Sequence, residues 1–330
     1  MKKFLFCLIL LLAAAAWAFH DWSQRAIFEQ GEPIAFTVRP GSGLSATAQQ
    51  IEAAGIPLRS SLFAILVRLS GKESRLKAGS YELKPGTTPQ RLIDQLVRGE
   101  FAQESVAIIE GWTFKQMRAA LDKHDGIRHD SKHLSEGELL AKVAPNFDKA
   151  EGLFFPDTYL FAKGSSDLLI FKQAHAAMLK RLSMAWDKRD PQLPYRNSYQ
   201  ALIMASIVEK ETGQKSERGQ IAGVFVNRLR LGMLLQTDPT VIYGMGERYQ
   251  GKIHKRDLET DTPYNTYTRA GLPPTPIALP GVAALTAATA PSKTGALYFV
   301  ARNDGTSKFS STLSEHNQAV NQYQRDHHDK

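Results

Sequence analysis

Two lysines, Lys2 and Lys3, precede an unbroken apolar run from Phe4 to Phe19. A positive start followed by such a run marks a segment handled by an export pathway. The run is sixteen residues long, short of the about 20 that a spanning helix needs. Continuing through His20 and Asp21 to Trp22 would give an anchor with an interfacial tryptophan. Ala16-Trp17-Ala18 also resembles a small-x-small cleavage site, so anchor and cleaved signal both stay open on the residues alone. Either way, lysines retained inside place the rest of the chain outside the cytoplasm.

The 330 residues suit about two domains at roughly 150 residues each. The apolar share of 43% and charged share of 22% are those of a globular protein, which excludes a disordered tail, a fibre or a polytopic membrane protein. Cys7 is the single cysteine, so neither an internal disulfide nor a cysteine zinc site can form. The formal charge of +8 suits an acidic partner. Export argues against nucleic acid, and no long Lys/Arg block supports it.

A polar linker, 23–32, leads to a small α+β module at 33–105. Ile34–Val38 reads as a strand, Leu44–Ala54 and Arg59–Leu69 as helices, and Ala78–Leu83 as a second strand. Thr88 is placed to cap a helix Pro89–Arg98, with Gly99 ending it. Strand, two helices, strand is the layout of a carbohydrate-binding module of the LysM type; a spacer domain is the plainer reading. Val106–Glu110 reads as another strand, and Thr113 as the cap of Phe114–Asp122. His124, His129 and His133 lie in a polar stretch without helical apolar spacing, which reads as a solvated loop rather than a metal site. No metal and no cofactor is expected.

The most informative stretch is Ser198–Thr212, which reads as a buried helix. At about 100° per residue, Glu211 falls among Ile203, Met204, Ile207 and Val208, whereas Glu209 falls on the other side with Leu202, Ala205 and Ser206. A carboxylate on an apolar face costs several kcal/mol to bury charged, so its pKa rises. It can then donate a proton to a leaving oxygen near neutral pH. The plainer reading is a glutamate at a helix end that turns to water or pairs with Lys215 or Arg218. A second helix, Glu217–Leu231, follows, with Arg228 and Arg230 off its apolar stripe and Gly232 as its stop. Gln236, Thr237 and Asp238 form a polar set entering another helix that carries Tyr243. Tyr264, Asn265 and Tyr267 occupy a later loop, ahead of Pro273-Pro274-Thr275-Pro276. Aromatic rings with amides and hydroxyls suit sugars, because rings stack on pyranose faces and amides bond hydroxyl and N-acetyl groups.

The segments Ala205–Thr212, Leu235–Gly244 and Tyr264–Tyr267, together with Glu151–Tyr159, resemble those of the YceG-like endolytic lytic transglycosylases of bacterial murein. The resemblance runs in order over nearly the whole chain. It implies an α+β architecture: a retained single-pass anchor at 1–22, a LysM-like module at 33–105, and a mixed catalytic domain at 106–330 with a helix-borne glutamate. It implies Glu211 as the catalytic acid, with Gln236, Thr237, Asp238, Tyr243, Tyr264, Asn265 and Tyr267 as the expected sugar-binding set. It also implies an inner-membrane protein whose catalytic domain lies in the periplasm, acting on peptidoglycan glycan strands beside a peptidoglycan synthase. The implied reaction cleaves the MurNAc-β-1,4-GlcNAc bond and leaves 1,6-anhydro ends. The alternatives are a muramidase-type hydrolase, with Asp238 activating water, and a glycan-binding scaffold without catalysis.

Overall fold

The computed structural model describes residues 2–302 and 304–325. It resolves into two compact units, the first comprising residues up to Ser105 with 126–128 and 160–165, the second the remainder.

In the first unit, α1 (Lys2–Gln24) is followed by β1 (Ile34–Val38), α2 (Leu44–Ala53), α3 (Ser60–Leu69), β2 (Gly79–Leu83) and α4 (Pro89–Arg98). The antiparallel pair β1/β2 runs in register from Ile34–Leu83 to Val38–Gly79. Alternation sends Phe36, Val38, Tyr81 and Leu83 inward, where they meet Ile51, Phe63, Val67, Leu92 and Leu96 in one core. Tyr81 is wholly buried, and its hydroxyl donates to the Lys77 carbonyl at 2.7 Å. The Thr88 hydroxyl accepts the Arg91 N–H at 3.2 Å, and Gly99 closes α4 with φ 73°, a left-handed conformation that glycine adopts freely.

The linking strand β3 covers Gln103–Ala107, three residues earlier than the sequence pattern suggests. Beyond it, Ile108 still donates to the Asp157 carbonyl, and Gly111 at φ 78° turns the chain into α5 (Phe114–Asp122). Thr113 and Gln116 form a reciprocal capping box there. Next come α6 (Glu136–Val143), β4 (Thr158–Ala162), which pairs with β3, and the long α7 (Asp167–Asp187).

The second unit is built around α8 (Ser198–Glu211), with α9 (Arg218–Arg230), α10 (Asp238–Met245), α11 (Lys255–Glu259) and α12 (Val282–Thr289) after it. Residues 201–208 of α8 are all buried, because α7, α9, α10 and α12 pack around it. The small side chains Ala284, Ala287 and Ala288 of α12 let that helix approach closely. The chain ends in a hairpin, β5 (Tyr298–Ala301) and β6 (Ser307–Ser310), followed by α13 (Leu313–Val320).

Candidate active site

A helix covered on every side has no solvent face, so the two glutamates near the end of α8 are distinguished by their partners. Glu209 is consumed by structure. Its side chain is 5% exposed, one oxygen accepts from Arg218 at 2.8 Å and the other from the Gly281 N–H at 3.0 Å. Burial lifts its carboxyl, against the Gly281 N–H and Arg218, which favour the charged form. Arg218 is therefore the partner of Glu209 and not of Glu211.

Glu211 is the last residue of α8 and is half-buried. Its Oε2 accepts the Thr237 hydroxyl at 2.5 Å, and no hydrogen bond occupies Oε1 among the described contacts. Burial pushes the carboxyl above its ordinary range. The Thr237 hydroxyl opposes the rise, the Asp238 carboxylate adds to it and the Arg228 guanidinium opposes it, but burial dominates.

Thr237 is itself fixed by a closed hydroxyl network. Its N–H donates to Thr266 Oγ1 at 3.1 Å, and its carbonyl accepts Thr240 Oγ1 at 2.7 Å. Thr240 and Thr266 hydroxyls lie 2.9 Å apart, and all three threonines are buried. Beside it, Gln236 has φ 53°, the one positive φ of a non-glycine residue among the described residues. Its N–H donates to the Thr266 carbonyl at 3.1 Å, which holds this costly backbone in place.

Glu211, Gln236 and Asp238 line one cleft of about 1010 Å³ together with Tyr267. The Tyr267 hydroxyl donates to Asp238 Oδ1 at 2.6 Å. A space of that size accommodates a chain of sugars rather than a single ring. The other four expected sugar contacts are not on its wall: Thr237 is buried and spends its hydroxyl on Glu211. Tyr243 donates to Glu151 Oε2 at 3.1 Å, and Tyr264 pairs with the Thr275 hydroxyl at 2.9 Å, their rings meeting edge to face at 4.8 Å. Asn265 is fully buried; its Nδ2 donates to the carbonyls of Leu258 and Thr260, and its Oδ1 accepts the Tyr267 N–H. It organises the loop that presents Tyr267.

The chain has relatives among known proteins. The YceG-like family model matches residues 36–322. The chain belongs to the YceG-like family. An endolytic murein transglycosylase of Bacillus subtilis (strain 168) is 31% identical over 311 residues, 88% of this chain and 84% of that protein. One of Streptococcus pneumoniae (strain R6) is 28% identical over 85% of this chain, which spans 56% of that longer protein. The crystal structure of a YceG-like protein of Listeria monocytogenes shares the fold with a TM-score of 0.54, at 29% identity over 88% of this chain and all of that one.

Several residues in and around this cleft lie outside the sequence expectations. Arg228 is buried; its Nε donates to the Leu297 carbonyl at 2.7 Å, and its Nη1 to the Leu235 carbonyl at 2.8 Å. It thereby ties α9 to the loop carrying Gln236 and to β5, and it stands as the positive charge facing Glu211. Its place off the apolar stripe of α9 gives no sign of this burial. Tyr298 and His316, which also line the cleft, stack with centroids 5.2 Å apart. No local motif marks them, because β5 and α13 join the cleft only through tertiary folding. Glu151 is buried, accepts the Phe114 N–H at 2.9 Å and is pushed up to about 7 by burial. It links the start of α5 to Tyr243 and is not part of the cleft wall.

One trio among the described residues, Asp122, His129 and Asp167, brings potential ligand atoms within 4.8 Å of one another. None of the three lines the cleft. Asp167 is occupied by the Ser131 N–H and hydroxyl. His129 is thus half-buried beside two carboxylates, not in the open loop its polar neighbours suggested, whereas His133 is exposed.

Proposed function

We propose that the protein is an endolytic lytic transglycosylase of murein in which Glu211 is the sole proton-transfer group. The observation that carries this reading is the pairing of the Thr237 hydroxyl with Oε2 of a desolvated glutamate on a sugar-sized cleft. With Oε2 engaged as acceptor, the proton of the neutral acid resides on Oε1. It passes to the glycosidic oxygen as the bond from MurNAc C1 breaks, freeing the GlcNAc 4-hydroxyl. The Glu211 carboxylate then takes the proton of the muramic acid 6-hydroxyl, whose oxygen bonds to C1. Proton and bonds balance without water, and the product is a 1,6-anhydro end. Asp238, oriented by Tyr267, supplies negative charge for the oxocarbenium-like state, and the N-acetyl group of the substrate adds to it. Gln236, Asp238 and Tyr267 are the sugar-contact set of this reading; Thr237 acts on Glu211, and Tyr243, Tyr264 and Asn265 act by shaping the surrounding loops.

Mass analysis of murein digested by the protein tests the proposal. Anhydro-muramyl products from internal cuts are expected. Reducing ends would instead mean a hydrolase with Asp238 as the water-activating base, and binding without products would mean a scaffold.

The tether belongs to the same reading. The helical segment Lys3–Gln24 contains an 18-residue window of mean hydropathy 2.0 and is long enough to span a bilayer. As a retained anchor, with the remainder in the periplasm, it places the cleft where glycan strands emerge, beside a peptidoglycan synthase. The module at 33–105, with its strand–helix–helix–strand order, serves as a LysM-like glycan contact. Its groove of about 760 Å³ presents Arg91, Gln95 and Phe101, a mixture suited to sugar.

A further inference from the structure

The first unit carries an apolar surface that its own core does not explain. Helix α3 buries Phe63, Leu66 and Val67 in the core. At about 100° per residue these occupy one sector, and Leu62, Ile65 and Leu69 form a second stripe directly beside it. Leu62 is half-buried, Ile65 is 46% exposed and Leu69 73% exposed. The apolar sector of α3 thus spans roughly 200°, and the module covers about half of it. Among the described residues outside α1, one other large apolar side chain of this unit is strongly exposed, Leu160 on β4. Arg59 and Arg68, both exposed, stand at the two ends of the α3 stripe.

Helix α1, whose end packs beside α4, joins this unit to the apolar segment of the chain. Its residues 3–18 are exposed along their whole length, but its last turns are seated on the module. Phe19 and Trp22 pack against the same core cluster that holds Phe63, Leu66 and Val67, with ring centroids 5.5 Å apart, and Ser23 is buried. The segment 25–33, which covers most of the expected polar linker, forms no helix or strand, but Ile27 and Phe28 in it pack on the same core, so the apolar helix is held against the module. A tryptophan at that junction sits at headgroup depth, so the module lies directly on the membrane surface. A unit of this size is about 25–30 Å across, and its surface near that junction is within reach of lipid. An apolar stripe with arginines at its margins matches an in-plane interfacial helix, whose arginine stems extend along the apolar layer while their charges meet anionic headgroups.

We propose that α3 is a second membrane contact: Leu62, Ile65 and Leu69 dip into the headgroup–acyl boundary of an anionic bilayer, with Arg59 and Arg68 on its lipid phosphates. With α1 inserted, this contact fixes the module's tilt on the membrane, which a single spanning helix cannot do. The inference rests on α1 being a retained anchor, and the test separates the two.

Full-length protein is reconstituted into vesicles of phosphatidylethanolamine and phosphatidylglycerol, carrying an environment-sensitive fluorophore at one cysteine. In the first sample the label is on the native Cys7, which lies in α1. In the second it is on Leu69→Cys in a Cys7→Ser background. Nitroxide-bearing lipids and an aqueous quencher are then applied in turn. Both labels are expected to emit blue-shifted light and to be quenched by the lipid nitroxide. The Leu69→Cys label is expected to respond to a shallow nitroxide more than to a deep one. A Cys7 label in lipid with a Leu69→Cys label quenched only from water would overturn the inference and leave the anchor standing. A Leu69→Cys label shielded from both quenchers would mean that a protein covers the stripe, which also overturns it. A Cys7 label in water would remove the anchor, and the inference with it.

Discussion

Glu211→Gln should reduce formation of anhydro-ended murein by a thousandfold or more, within the about 10²–10⁴-fold contribution of a general acid–base group, while the fold is retained. Glutamine is isosteric, and its carbonyl oxygen can still accept the Thr237 hydroxyl now bonded to Oε2. The threonine network and the Gln236 backbone therefore keep their geometry, and only the transferable proton is lost. Stability should move the other way. Burial raises the folded-state pKa of Glu211 above the ordinary value of 4.5. In the window above 4.5 the folded chain holds its proton more tightly than the unfolded chain, so the wild type loses stability as pH rises through that window. The variant lacks this loss. Its melting temperature should exceed that of the wild type at pH 8, with a smaller difference near pH 4.5. Near-normal product formation by the variant would remove Glu211 from the mechanism.

The opposite outcome is expected two residues earlier. Glu209→Ala should lower the free energy of unfolding by about 3–5 kcal/mol, the cost of breaking a buried ion pair from one side. Both side chains of the Glu209–Arg218 pair are about 5–6% exposed. Removing the carboxylate leaves the guanidinium buried and uncompensated, and Nε and Nη1 of Arg218 already have no hydrogen-bond partner. The Gly281 N–H at the start of α12 is orphaned as well. Urea unfolding monitored by circular dichroism reads the loss, and Glu209→Gln, which keeps an acceptor for Gly281, should cost less. A shift below about 1 kcal/mol would show that the pair is worth no more than an exposed one. The two glutamates thus separate by experiment into one that carries chemistry and one that carries structure.

Much of the first unit could be read from the sequence, because its signals are local. Thr88, Pro89 and Gly99 bracket α4, and alternation marks β1 and β2; in the second unit the cap of α5 at Thr113 is a local signal of the same kind. The polar loop before α10 and the acid ending α8 were also readable, one from turn chemistry and the other from an acid amid apolar residues. The angular argument separating Glu209 from Glu211 has less force than it suggests, since α8 is enclosed on all sides. Partners decide between the two, and partners such as Arg218, Gly281 and Thr237 are brought in by tertiary folding. The same reason hides Arg228, Tyr298 and His316. An arginine off an apolar stripe is ordinarily a surface group, and nothing local shows that Arg228 ends among the carbonyls of 234, 235 and 297. Conversely, tyrosines and amides near one another in sequence were grouped as sugar contacts, whereas Asn265 spends its amide on its own loop and Tyr243 on Glu151.

The whole mechanism requires an acid that still carries its proton when substrate arrives. Carbon-13 labelling of glutamate side chains, with Glu211→Gln as the assignment spectrum, isolates the one carboxyl signal that the variant lacks. Following that signal with pH in the ligand-free protein gives its protonation state directly. It should remain that of a neutral acid above 4.5, the ordinary glutamate value, because burial disfavours the charged form. A signal already ionised at or below 4.5 would mean that no proton is held for the glycosidic oxygen, and the chemistry proposed for this cleft could not occur.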